Sequence, residues 1–168
     1  MPIAESMLPE FDHEMATTRT LLERVPEDRA SWTPHPKSTG LGALAAHIAA
    51  LPRFAQMALT RTELDFDPPG GGRFTPPVFE GTAKNLQTFD EHVRQARAAI
   101  AAASHADLMV PWSLKRRGQT QFTLPRVGVL RALMMNHIIH HRGQLSVYLR
   151  LNDVALPSIY GPTADTDM

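Results

Sequence analysis

The chain has 168 residues, 17 basic and 17 acidic side chains, eight histidines and no cysteine. A chain of this length buries roughly two-thirds of its unfolded surface without staples. The absence of cysteine excludes disulfides, thiolate nucleophiles, iron–sulfur clusters and thiolate zinc fingers. The formal charge of zero argues against a nucleic-acid partner, which needs surplus Lys and Arg to displace counterions.

The opening Met1-Pro2-Ile3-Ala4-Glu5 has neither the basic start nor the apolar region of a signal peptide. The longest weakly polar stretch, Leu41 to Leu51, is too short to span a bilayer. The expectation is a cytoplasmic protein with no membrane partner. The first predicted helix covers about Ile3 to Val25, with Leu8, Phe11, Met15, Thr18, Leu22 and Val25 spaced three and four apart as a bundle-type stripe. Pro26 ends it. Ser31-Trp32-Thr33-Pro34-His35-Pro36 reads as loop, because each proline biases its predecessor away from helix. Thr39 is the expected cap of a second helix, about Gly42 to Arg61, kinked at Pro52.

Residues 65–77 contain Pro68-Pro69-Gly70-Gly71-Gly72 and read as a long irregular crossover. Thr82 is the expected cap of a third helix, about Ala83 to Ala103, with its stripe at Leu86, Phe89, Val93, Ala96 and Ile100. A loop with Pro111, Trp112 and Lys115-Arg116-Arg117-Gly118 follows, its cations read as solvated. Thr123-Leu124-Pro125 then combines a cap with a first-turn proline, and a fourth helix runs from about Leu124 to Leu151. The tail, Pro157 to Pro162, is irregular. No run alternates like a strand and no segment repeats. The expected architecture is one all-α domain over residues 1–168, a four-helix bundle with a long crossover between helices two and three.

The chemistry concentrates on the fourth helix. With Leu130 at zero and about 100° per residue, Met134, His137, His141, Leu145 and Tyr148 share one band, and His140 falls about 80° to the side. Two imidazoles one turn apart can converge on one ion. A shared cation also satisfies two buried acceptors that would otherwise need partners. His47, beside Leu44 and Leu51 at the edge of the second helix's apolar side, is the best third ligand. The bland alternative for any one of these is a satisfied core histidine. The pair lacks the Glu of a His-Glu-x-x-His protease, having Ile138 instead. His13 and His92 look more exposed. Gln144 falls near the histidines as a hydrogen-bonding support, and Tyr148 can reach the same cavity. Asp12 and Glu14 read as solvated, and Arg142 as outward-facing. Gly128, Ala132, Met135, Ile139, Gly143 and Ser146 line the opposite side, which a solvated helix would fill with charge. A homodimer contact is expected there.

Four stretches resemble the DinB-like superfamily of small bacterial metal-binding bundles. They are Ser31-Trp32-x-Pro34-x-Pro36, Leu44-Ala45-Ala46-His47-Ile48-Ala49, Asn136-His137-Ile138-Ile139-His140-His141-Arg142-Gly143-Gln144-Leu145, and Leu156-Pro157 with Tyr160-Gly161-Pro162. The resemblance spans nearly the whole chain, and His-x-x-x-His-Arg-Gly-Gln is its specific part. It implies a divalent metal (nickel, zinc or iron) held by His47, His137 and His141, and often a homodimer. It also implies a metal-dependent enzyme of the thiol-dependent transferase or hydrolase type, acting on a small molecule or thiol in the bundle cleft. The alternatives are a non-catalytic metal-binding or stress-associated dimeric helical protein, and a metal-free helical interaction domain.

Overall fold

The computed structural model describes residues 2–72 and 74–166. It is mostly helical. Helix α1 (Ile3–Leu22) buries Met7, Phe11, Met15, Thr18 and Leu22, the expected stripe with Leu8 only half covered. Pro52 divides the expected second helix into α2 (Leu41–Ala50) and α3 (Arg53–Thr60). At the break Leu51 N bonds Ile48 O at 3.2 Å, three residues back, because Pro52 has no N–H to offer.

Helix α4 (Thr82–Ala102) buries Phe89, Ala96 and Ile100. Its N-terminus is capped from outside. Glu27 accepts the Thr82 N–H at 2.7 Å, while the Thr82 hydroxyl donates to Val25 O. Gly81 makes this approach possible, with φ +108° and space that a Cβ would narrow to 3.1 Å from the Glu27 carboxylate. Neither threonine is the cap expected of it. Gly40 precedes α2, and no side chain caps it. α4 packs against α1, α2 and α3.

The purely helical expectation is corrected by a three-stranded sheet. β1 (Glu63–Asp65) pairs parallel to β2 (Pro111–Arg116), which pairs antiparallel to β3 (Gln119–Pro125). A short helix, α5 (His105–Met109), precedes β2 under a Ser104–Asp107 capping box. The strand signal was present but brief. Trp112 and Leu114 alternate with polar neighbours and face Leu124 and Phe122. Arg117 and Gly118 form the two-residue turn, both at positive φ (53° and 76°), the backbone that such hairpins require. The Asp65 carboxylate holds that turn, accepting the N–H groups of Arg117 at 3.1 Å and Gly118 at 2.7 Å.

The last helix starts at Arg126, not Leu124, because β3 uses the preceding residues. It runs as α6 (Arg126–Val129), a π-helical turn (Leu130–Met135) and α7 (Asn136–Leu151). The π turn matters for the site. Upstream, Val129 and Leu130 face the core; downstream, Ile138, Arg142, Leu145 and Leu149 do. On a uniform wheel the downstream set is centred about 90° from Leu130, the rotation that about one extra residue in a wide turn produces. His137 and His141 therefore flank the buried stripe and do not lie at its centre.

Candidate metal centre

His47 stands in the last turn of α2, just before the Pro52 break, and faces α7. His137 and His141 stand one turn apart on α7. The three rings pack together, with centroids 5.1 Å (His47–His137), 4.6 Å (His47–His141) and 4.6 Å (His137–His141) apart. One ring nitrogen from each lies within 4.8 Å of the other two, and all three residues are half-buried. His140 is exposed and points away from the stripe.

The protonation pattern suits metal binding. His137 Nδ1 lies 3.4 Å from Leu133 O, and His141 Nδ1 lies 2.7 Å from Gln144 Oε1. A carbonyl oxygen only accepts, so Nδ1 donates in both, and a neutral ring keeps its lone pair on Nε2. Burial lowers the pKa of all three. That of His47 falls to about 4, with the neighbouring His141 and His137 adding repulsion. His137 is lowered by burial and by His141, against the opposing Leu133 bond. His141 is lowered by burial, against the opposing Gln144 bond. All three rings are thus neutral at pH 7, as ligands must be. His47 Nε2 and His137 Nε2 lie 3.4 Å apart, close to the separation of about 3.3 Å spanned by two tetrahedral bonds of 2.0–2.1 Å. This triad can hold a divalent metal ion.

The cluster opens onto a cleft of about 600 Å³, within the range of small-molecule sites. His47 and His141 line it; His137 does not. Gln144 and Tyr148 are on its wall. Trp32 meets Tyr148 edge-on, with centroids 5.4 Å apart. Sequence reasoning missed the other contributors: Lys37, Ser38 and Thr39 from the loop before α2, and Phe74, Pro76 and Pro77 from the crossover. The prolines signalled irregular backbone but not where it would lie. A larger, more open groove on the outer face of α4 is lined by side chains already paired, such as Arg19–Asp90 and Arg94–Glu91.

Three outward assignments are corrected. Arg142 is almost wholly buried and pairs with buried Glu14 at 2.7 Å. It also donates to Glu14 O and Thr18 Oγ1, at 3.2 and 3.3 Å. Tyr160 of the tail completes the cluster, its hydroxyl donating to Glu14 and accepting from Arg142. The π turn explains the error, since it rotates Arg142 into the stripe facing α1. His92 is half-buried, with Nδ1 2.9 Å from Ala49 O. Asp12 behaves as expected, in an exposed pair with Arg97. The small-residue face is not uniform. Met135 is fully buried and Ile139 and Ser146 are half-buried, whereas Ala132 and Gly143 are exposed.

The comparison with family models decides the wider relationship: residues 7–150 match the model of the mycothiol-S-transferase family. The chain belongs to that family, within the DinB-like superfamily. Two solved structures share its fold. A DinB-like protein from Bacillus cereus ATCC 10987 is 22% identical, with TM-score 0.72 over 95% of this chain and 98% of that one. A DinB-like protein from Bacillus subtilis, YjoA, is 18% identical, with TM-score 0.66 over 96% and 99%. No curated protein matches the sequence. Among the described residues, no helix is long and apolar enough to cross a membrane. Family membership and the triad together indicate a metal-binding, transferase-like protein.

Proposed function

We propose that this chain is a metal-dependent S-transferase that joins mycothiol, or a similar small thiol, to an electrophilic small molecule in the cleft beside the triad. One observation carries the reading: three neutral imidazoles, their ligand atoms within 4.8 Å of one another, form a cluster that opens onto the cleft. We assign His47, His137 and His141 as ligands of one divalent ion. Imidazole suits zinc, nickel and iron alike. When bound, such an ion supplies Lewis-acid chemistry, lowering the pKa of a thiol or water brought to it. The chain's own groups do the rest. Leu133 O and Gln144 Oε1 fix the tautomers of His137 and His141. Lys37, at the cleft wall, favours the approach of a thiolate.

In this reading residues 1–168 form one four-helix bundle domain whose crossover carries β1, acting in the cytoplasm. We further propose a homodimer through the outer side of α7, where Val147 and Leu151 are exposed near Gly143.

Elemental analysis of protein purified without a histidine tag is expected to find about one divalent ion per chain, lost in His141→Ala. Mass spectrometry is expected to detect a mycothiol conjugate formed only by the loaded protein. Full metal content in His141→Ala overturns the ligand assignment. Metal without conjugation returns the chain to a non-catalytic metal-binding role. Light scattering tests the dimer: a strict monomer at micromolar concentration refutes it.

A further inference from the structure

We propose that the cleft is divided, and that its crossover half, formed by Phe74, Pro76 and Pro77, seats an uncharged aromatic electrophile. This rests on the transferase reading above. Phe74 is 56% exposed, an unusual state for so large an apolar ring. It is nonetheless held in place. Its ring meets Phe66 edge-on at 5.8 Å; Phe66 meets Phe54 at 6.4 Å; Phe54 meets the fully buried Trp112 at 6.1 Å. An aromatic ladder thus runs from the core to the cleft and presents one more ring face to it. The backbone adds a tie, Phe74 N donating to Phe66 O at 3.4 Å. A further aromatic ring can add to this ladder in the same edge-on or offset geometry.

The other half of the cleft is polar and carries Lys37, Ser38 and Gln144, and among the described residues no carboxylate lines either half. The polar half and the triad side suit the thiol. Phe74, Pro76 and Pro77 offer a ligand neither charge nor a side-chain donor, so the occupant they favour is a neutral ring. With 1-chloro-2,4-dinitrobenzene as the probe, the step balances without an oxidant. The thiolate sulfur forms a bond to C1, and the C–Cl bond breaks with its electron pair leaving as chloride. The thiol proton passes to solvent.

The test uses binding and kinetics together. Trp32 packs on Tyr148 of the cleft wall, so a bound dinitrophenyl ring quenches its fluorescence. Metal-free protein is titrated with the probe in the absence of thiol. The wild type is expected to quench saturably. Phe74→Ala is expected to weaken the apparent Kd about five- to tenfold, the scale of losing one partly covered aromatic face. Phe74→Leu is expected to recover part of that loss. Val78→Ala, at an exposed residue outside the cleft wall, is expected to bind as the wild type does. In loaded protein with mycothiol, Phe74→Ala is expected to raise KM for the electrophile and leave KM for the thiol unchanged. An unchanged Kd in Phe74→Ala, or equal rises in both KM values, overturns the proposal. The two readings fail separately. Phe74-dependent quenching without any conjugate supports the subsite and sinks the transferase, whereas conjugation with no Phe74 dependence does the reverse.

Discussion

Replacing Arg142 by Ala tests the least expected feature of the core. The Arg142 and Glu14 side chains are 2% and 7% exposed and pair at 2.7 Å. Removing one partner of a buried pair typically costs 3–5 kcal/mol, because the other charge stays buried without compensation. Here Tyr160 still donates to the Glu14 carboxylate at 2.7–2.8 Å, which places the cost near the lower end, about 3 kcal/mol. The hydrogen bonds from Arg142 to Glu14 O and Thr18 Oγ1 are lost as well, but Thr18 already donates to Glu14 O at 2.7 Å, so no buried acceptor is orphaned. For a chain of this size, about 3 kcal/mol corresponds to a Tm lower by roughly 6–12 °C. Urea unfolding followed by tryptophan fluorescence gives the free energy, and calorimetry gives the Tm. The double variant Glu14→Gln/Arg142→Met removes both charges and is expected to recover most of the loss. A single variant within 1 kcal/mol of wild type, or a double variant as unstable as the single, refutes the reasoning.

Other predictions follow from the site and its supports. In metal-free protein His47 has a pKa of about 4, below its ordinary 6.5, so the folded state binds fewer protons than the unfolded one. Its contribution to stability is present above pH 6.5 and is lost as the pH falls toward 4; Tm values that stay flat across that window would contradict this. Gln144→Leu removes the acceptor that orients His141 and is expected to weaken metal affinity about 10- to 100-fold, measured by competition with a chelator. Unchanged affinity would mean that the bond does not orient the ligand. Glu27→Ala uncaps α4 and is expected to cost about 1 kcal/mol without changing metal content. Phe11→Ala, at a fully buried core position, is expected to cost about 3–5 kcal/mol, read from urea unfolding.

Local sequence signals determined much of this protein. Apolar spacing located α1 and α4 to within a few residues, because a helix that buries one face must repeat its apolar positions with its own period. Pro52 marked the break between α2 and α3, because a missing N–H acts locally whatever packs around it. Zero cysteine and eight histidines pointed to an imidazole site, and His47, His137 and His141 do come together. Tertiary structure alone decided the rest. The hairpin's alternations were too brief to read as strands in the sequence, and its pairing with β1 joins segments some fifty residues apart, Glu63 with Ser113. The π turn at Leu130–Met135 reset the phase of the last helix by about one residue. No wheel drawn at constant pitch contains that offset. It buried Arg142 against Glu14 and moved His137 and His141 from the centre of the apolar stripe to its flank, where His141 meets the cleft. A sequence names the groups that can meet; only packing sets the angle at which a helix presents them and the distant segments, such as Phe74 of the crossover, that complete the wall around them.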